Sequence, residues 1–326
     1  MRLLVVGEKD APELTVLETL PSRPLGVGRT LAALRSSGVT DEQLLSVDVL
    51  LAAGWGAESS AALEEIVCAL PALRLVHTAT AGVGHLLVPS VMRRDIILTN
   101  SKSVFSVALA EWAIAAMLFF SKNMLRLAEQ KARREWTKFD VQPLRGKTLA
   151  IVGYGSIGQT TARLASAFGM RILALTRSAR STHDPLVHQW YLTSQLDSML
   201  AEADYVVMST PQTPETTKLM GAKQFEAMPA HAVFINIGRG ACVDETALIA
   251  ALTERRIAGA ALDVFETEPL PEASPLWVFP NVLISPHCAD FLPKCQHESL
   301  RLFLTNAQRF EAGEELLNVV DKHIGY

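Results

Sequence analysis

Four cysteines in 326 residues are too few and too scattered to staple a fold. Cys68, Cys242, Cys288 and Cys295 form no CxxC pair, and no His/Cys cluster has zinc-ligand spacing. Neither a disulfide framework nor a bound metal is expected. Long runs of one charge are equally missing. The net charge is −4, and the most basic stretch, 122–138, has Lys131, Arg133 and Arg134 interrupted by Glu129 and Glu135. It reads as a solvated helix face, so nucleic acid is not an expected partner. No apolar run is long enough for a bilayer, which needs about 20 residues; the most apolar helix-like stretch is only 114–120. The opening Met1-Arg2-Leu3-Leu4-Val5-Val6-Gly7 is apolar only briefly, lacks a signal-cleavage pattern and reads as a first β-strand. No membrane association is expected, and a reducing, cytoplasmic location fits best.

What is present is an ordinary globular balance, 49% hydrophobic and 20% charged, at a length that suits two domains. Short apolar runs at 3–6, 49–53, 74–78 and 96–99 look like buried parallel strands, separated by helix-like stretches such as 31–36 and 61–70. One long helix rich in Ala, Leu and Met is expected over roughly 107–133. After the turn-like Gln142-Pro143-Leu144-Arg145-Gly146 the strand pattern restarts at 148–152. It recurs at 171–175, 205–208, 232–235, 259–262 and 282–284. This alternation predicts α/β architecture with two doubly wound parallel-sheet domains. A last helix over 298–312, stopped by Gly313, is expected to cross back to the first domain.

Gly153-Tyr154-Gly155-Ser156-Ile157-Gly158 follows the 148–152 strand and opens a helix, which is the context that a dinucleotide fingerprint requires. Gly153 permits the tight turn, Gly155 lets the backbone approach a pyrophosphate, and Gly158 allows close helix–sheet packing. The unpaired N–H groups of the helix start face the phosphate. The residue that reads the ribose follows the second strand, where the chain has Leu175-Thr176-Arg177-Ser178, with Arg180 beyond. No carboxylate stands there to favour NAD(H). Arginines and hydroxyls favour a 2′-phosphate, so NADP(H) is preferred and NAD(H) possible; the alternative is a surface loop with incidental arginines.

Three further blocks carry chemistry. They are Asn236-Ile237-Gly238-Arg239-Gly240 with Asp244 and Glu245 after it, the run from Asp263 through Glu266 and Glu268 to Pro269-Leu270, and Ser285-Pro286-His287. With 153–158 and the Thr210-Pro211-Gln212-Thr213-Pro214 run, they closely resemble the D-isomer-specific 2-hydroxyacid dehydrogenases, in particular their NADPH-preferring glyoxylate/hydroxypyruvate reductase type. The detailed resemblance covers roughly 146–287, with a weaker echo at Ala81-Gly82-Val83 and Ala110-Glu111.

The resemblance implies a Rossmann-type cofactor domain, 101–288, inserted into a flavodoxin-like substrate domain built from 1–100 and 289–326, with the active site in the cleft. It implies hydride transfer between NAD(P)H and a small 2-keto acid to give a D-2-hydroxy acid, glyoxylate- and hydroxypyruvate-like substrates being favoured. Arg239 matches the substrate-binding arginine, Glu268 the carboxylate partner and His287 the acid/base. Chemistry asks for the same types. Hydride addition builds negative charge on the carbonyl oxygen, and a histidine raised by a neighbouring carboxylate can neutralise it. An arginine can grip the substrate carboxylate with two parallel bonds. Glu266 competes with Glu268, and the following Pro269-Leu270 selects the latter.

Cofactor contacts are expected from 153–158, Thr176, Arg177, Ser178, Thr210, Pro211, Ile237, Gly238, Arg239, Asp263 and His287. Asp263 matches the aspartate near the nicotinamide carboxamide, a turn or capping role being its alternative. Substrate contacts are expected from Ala81, Gly82, Val83, Arg239 and His287, while His77 and His85 read as structural or exposed. Two departures fall near the expected pocket: Gly84, where many members have aspartate, and Cys288-Ala289-Asp290 after the histidine. The helix after Val107 resembles the element through which members dimerise, with intrachain packing as the alternative. Other outcomes are a dinucleotide-sensing corepressor-like scaffold, or a phosphoglycerate, formate or phosphite dehydrogenase. The absence of long recruiting tails argues against the first, and the lack of a further regulatory domain against phosphoglycerate.

Overall fold

The computed structural model describes residues 1–20, 23–53, 57–178 and 184–325. They divide into two compact units, Met1–Phe105 with Phe291–Tyr326, and Ser106–Asp290.

The first unit holds β1 (Leu3–Val6), α1 (Leu31–Ser36), α2 (Asp41–Leu44), β2 (Val49–Ala52), α3 (Ser60–Cys68), β3 (Leu75–Thr78), α4 (Pro89–Arg93) and β4 (Ile97–Thr99). The four strands pair in parallel in the order β1-β2-β3-β4. Residues 25–28 run beside the free edge of β1, bridged in parallel at Val5 and Val27 and held by Val5 N–H on Gly26 O and Gly28 N–H on Val5 O. That segment completes a flavodoxin-like order with the second strand outermost. Successive strand residues alternate between two apolar layers, Leu4 and Val6 facing one, Leu3 and Val5 the other.

In the second unit follow α5 (Ser106–Ser121), α6 (Met124–Arg133), β5 (Thr148–Val152), α7 (Ser156–Ala167), β6 (Arg171–Thr176), β7 (Gln189–Leu192), α8 (Leu196–Leu200), β8 (Tyr205–Met208), α9 (Ala222–Ala227), β9 (Val233–Asn236), α10 (Glu245–Thr253), β10 (Gly259–Leu262) and β11 (Val282–Ile284). The sheet order is β11-β10-β9-β8-β5-β6-β7, all parallel. This is Rossmann topology, and its order reverses between β5 and β8, which opens a crevice at the carboxyl ends of those strands. α11 (Pro293–Ala312) returns to the first unit, where Leu300, Phe303 and Ala307 cover the layer containing Leu3 and Val5. Gly313 ends it in the left-handed conformation at φ 70°.

The single helix expected over 107–133 is two helices, bent by 59°. Asn123 sits at φ 51°, ψ 52° between them, a conformation that asparagine tolerates better than most residues and that stops the α5 ladder. α5 is largely buried and packs on α7, whereas none of the residues of α6 is buried. Among the described residues, no single helix is long and apolar enough to cross a membrane.

Candidate active site

The glycine turn leaves β5 at the sheet's reversal point. Gly153 has φ +99°, and a Cβ there would lie 2.8 Å from Thr210 Cγ2. A Cβ on Gly158 would lie 2.4 Å from Gly153 O, so only glycine lets α7 start this close to the strand. A Cβ on Gly155 would meet nothing within 4 Å. The middle glycine thus faces open space in front of the first turn of α7, where a pyrophosphate would approach the backbone. Thr210 closes the other side of the turn. Its hydroxyl is buried and has no hydrogen-bond partner among the described residues. Gly238 sits tightly behind it, with a built Cβ 2.9 Å from Thr210 O. An orphaned hydroxyl, an open glycine and a free helix start fit a dinucleotide. Ser156 and Ile157 open α7, while Pro211 and Ile237 continue the strand ends beside Thr210 and Gly238.

Tyr154 differs from its neighbours in the turn. Its side chain is buried and donates to Asp184 Oδ2 at 2.9 Å, with the ring edge-on to Trp190 at 4.9 Å. Its backbone, rather than its ring, is therefore what the turn presents to a cofactor.

At the end of β6, Thr176 Oγ1 donates to Ser178 O at 3.0 Å, curling the chain so that Arg177 and Ser178 follow directly on the strand. Arg180 lies outside the described residues. Glu215 is the nearby carboxylate, held below its usual range chiefly by the Thr213 hydroxyl and in smaller part by the Arg177 charge.

Arg239, Glu268 and His287 come from the carboxyl ends of three adjacent strands, β9, β10 and β11. The first of these loops is built by Asn236, whose Oδ1 accepts from Gly238 N at 3.1 Å and whose Nδ2 donates to Arg239 O at 3.3 Å. Arg239 Nη1 donates to Gly238 O at 2.6 Å. Gly240 lies against the β10 loop so closely that a Cβ would fall 1.8 Å from Phe265 O.

Glu268 Oε1 accepts from Phe265 N at 2.9 Å, and Oε2 meets His287 Nδ1 at 2.7 Å. A carboxylate can only accept, so Nδ1 carries the proton. His287 has φ +52°, fixed by its own N–H on Asp263 O at 2.9 Å. Asp263 is buried and its Oδ1 accepts from Ser285 Oγ and from the N–H groups of Cys288 and Ala289, each N–H at 3.0 Å. Its carboxylate performs the turn role, locking the backbone on both sides of the histidine.

The Glu268 hydrogen bond raises the His287 pKa; burial opposes it, the Glu268 and Asp263 charges add to it, and Arg239 subtracts. For Glu268, burial pushes upward but is outweighed by His287, the Phe265 N–H and the Arg239 charge, leaving it below the usual carboxylate range. Each shift favours the charged form of its own group, so the two reinforce the ion pair. Asp290, half-buried in the same field, is pushed up by burial and by Asp263, against His287 and Arg239.

Arg239, Asp263, Glu268 and His287 are thus brought together within one electrostatic neighbourhood. Glu266 is directed elsewhere, to an exposed ion pair with Lys218 at 3.4 Å. Ala81, Gly82 and Val83 lie in the other unit on the loop leaving β3, where Ala81 O accepts from Asn100 Nδ2 at 2.8 Å and Gly82 O from Thr80 Oγ1 at 2.8 Å. A Cβ on Gly84 would meet nothing within 4 Å. His77 is fully buried and His85 exposed. Sequence reasoning missed the contacts that Ser285 makes to Asp263 and that Asp184 and Trp190 make to Tyr154. Ser285 stands inside the Ser-Pro-His block, whereas nothing local marks the other two. Among the described residues no group of His, Cys, Asp and Glu could hold a metal ion.

Residues 114–289 match the family model described as D-isomer specific 2-hydroxyacid dehydrogenase, NAD binding domain. A glyoxylate reductase of Thermococcus litoralis is 31% identical, over 88% of this chain and 87% of its own. The glyoxylate/hydroxypyruvate reductase B of Citrobacter koseri is 39% identical, over 70% of this chain and 71% of its own. Among solved structures, an NADPH-dependent glyoxylate/hydroxypyruvate reductase from Sinorhizobium meliloti, in complex with NADP and sulfate, superposes with a TM-score of 0.85 at 28% identity, covering 100% of each chain.

Proposed function

Because this chain belongs to the D-isomer-specific 2-hydroxyacid dehydrogenases and interconverts a small 2-keto acid and its 2-hydroxy acid with NAD(P), we propose that it is an NADPH-preferring reductase of glyoxylate and hydroxypyruvate, with Arg239, Glu268 and His287 as its catalytic residues. The observation that carries the catalytic reading is the 2.7 Å Glu268–His287 pair standing in the field of Arg239.

Reduced nicotinamide, when bound, supplies the hydride. The glycine turn, Ser156, Ile157, Thr210, Pro211, Ile237 and Gly238 would hold the dinucleotide, and Thr176, Arg177 and Ser178 its ribose end. Protonated His287 presents Nε2–H to the substrate carbonyl oxygen and gives up that proton as negative charge builds there. Glu268 keeps the ring charged and fixes its rotation through Nδ1. Arg239 offers its planar fork to the substrate carboxylate, and its positive charge also polarises the carbonyl. In the reverse direction neutral Nε2 takes the hydroxyl proton.

The cofactor preference is supported by the absence of a carboxylate at 176–178 and by an arginine able to make charge-assisted bonds to a 2′-phosphate. Such a bond contributes about 1.5–3 kcal/mol, or roughly a tenfold to hundredfold preference. The test compares kcat/KM for glyoxylate, hydroxypyruvate, pyruvate and a bulkier 2-keto acid with each cofactor. The two small substrates with NADPH should lead, and Thr176→Asp/Arg177→Ala should swing preference towards NADH. Equal use of both cofactors, unaltered by the double variant, would refute the assignment of this loop.

A homodimer built on the start of α5 and on α6 belongs to the same reading. Val107 on α5, Met124 and Leu127 on α6, and Trp136 just after α6 expose large apolar surface. Light scattering should give twice the 35.5 kDa chain mass, and a monomer at micromolar concentration would contradict it. Four free thiols fit a reducing cytoplasm.

A further inference from the structure

Between the middle and first glycines of the phosphate turn stands a side chain that points away from any phosphate. Tyr154 is 3% exposed, its hydroxyl donates to Asp184 Oδ2 at 2.9 Å, and its ring meets Trp190 of β7 edge-on at 4.9 Å. Asp184 is committed as well. Its Oδ1 accepts from Leu186 N at 2.9 Å, and its carbonyl accepts from Val187 N at 3.0 Å, which ties the carboxylate to the turn leading into β7.

These contacts join two places that the chain keeps 30 residues apart. Tyr154 belongs to the turn that receives the pyrophosphate. Asp184 ends the connection that begins with Arg177 and Ser178 at the tip of β6, and Trp190 lies on β7, paired directly with β6 through Ala174. A bound dinucleotide must touch both places at once, its pyrophosphate on one and its 2′-substituent on the other. Their relative placement therefore decides whether the arginine closes on the phosphate.

We propose that Tyr154, Asp184 and Trp190 form a latch that sets the spacing between the phosphate turn and the ribose-reading loop, making Tyr154 and Asp184 positioning residues for cofactor choice. The inference rests on the reading of 153–158 and 176–178 as the dinucleotide site. A carboxylate is a strong acceptor for a buried phenol, and removing either group breaks the bond that ties the phosphate turn to the turn leading into β7.

The experiment measures dissociation constants for NADPH and NADH by fluorescence titration of the full-length protein, together with the melting temperature. Tyr154→Phe keeps the ring against Trp190 and removes only the hydroxyl. Asp184→Ala removes the acceptor from the other end and reports the same bond should the first variant fail to fold. Both should weaken NADPH by roughly tenfold, the scale of one hydrogen bond to a charged group, and NADH by clearly less. Asp184→Asn retains an acceptor oxygen and should recover most of the NADPH affinity. Combining Tyr154→Phe with Asp184→Ala should cost no more than either alone.

Equal weakening of both cofactors would mean that the contact merely supports the fold near the turn, and it would overturn the latch. So would unchanged affinities in folded Tyr154→Phe. A wild-type protein that bound neither cofactor would instead overturn the dinucleotide reading itself, and the latch with it.

Discussion

At the scale of single residues, the proposed chemistry turns on how one proton is kept on one ring. His287 is raised above the ordinary histidine value because Glu268 accepts from Nδ1. In the proposed mechanism carbonyl reduction needs the protonated ring, so turnover should fall as pH rises through the raised value. Glu268→Gln withdraws the main cause of the raise, and the alkaline limb of kcat/KM should move to lower pH. His287→Ala should lose about 10²–10⁴ in reduction rate. A pH–rate profile of the three proteins reads both effects. An alanine variant turning over near the wild-type rate would remove His287 from the mechanism. Arg239 sits inside the same balance, since its charge opposes protonation of the ring it serves. In the proposed mechanism that opposition ties substrate binding to protonation, because a bound carboxylate would offset the arginine's charge and favour the protonated ring.

Elements decide whether these residues meet. The β9 and β10 loops touch through Gly240, with no room for a methyl group beside Phe265 O. Gly240→Ala should force the Arg239 loop away from the loop carrying Glu268. Overpacking of this kind typically costs about 1–3 kcal/mol, so the melting temperature should drop by roughly 2–10 °C. The KM for keto acid should rise with it. Calorimetry and steady-state kinetics on one preparation check this, and a variant as stable and active as wild type would contradict the close approach. The strands β1 to β6 and β8 to β11 were legible as apolar runs because buried parallel strands need apolar residues on both faces. Two edge pieces were not. β7 reads Gln-Trp-Tyr-Leu with only Tyr191 buried, and 25–28 reads Leu-Gly-Val-Gly, which resembles a turn more than a strand. The break at Asn123 was hidden by strong helix formers on both sides. The proposed trio of Arg239, Glu268 and His287 was readable as a candidate since each member lies in a short block with its own local pattern. The Asp184–Tyr154 bond was not, because only the folded sheet brings the two together.

For the molecule as a whole, burial in the first unit sets a pH-dependent contribution to stability. His77 of β3 is buried beside Phe303, with Nδ1 2.8 Å from Thr99 Oγ1, and burial pushes its pKa down to about 3. Between the ordinary value of about 6.5 and about 3, the unfolded chain takes a proton here that the folded chain refuses. Stability from this site is complete above the upper value and declines as pH falls through that window, by at most about 1.4 kcal/mol per pH unit. His77→Phe should flatten the pH dependence of unfolding free energy between pH 4 and 6, measured by urea titration. An unchanged slope would show that the ring does not stay neutral. The strand order β11-β10-β9-β8-β5-β6-β7 carries a different consequence. Its proposed proton-handling groups leave β9, β10 and β11 on one flank of the reversal point, and its proposed nucleotide-reading groups leave β5 and β6 on the other. Inheritance can therefore act on the two flanks separately. A lineage could exchange its electron donor by altering the loop after β6 alone, leaving the acid, the carboxylate and the arginine untouched, and could retune its substrates without relearning its donor.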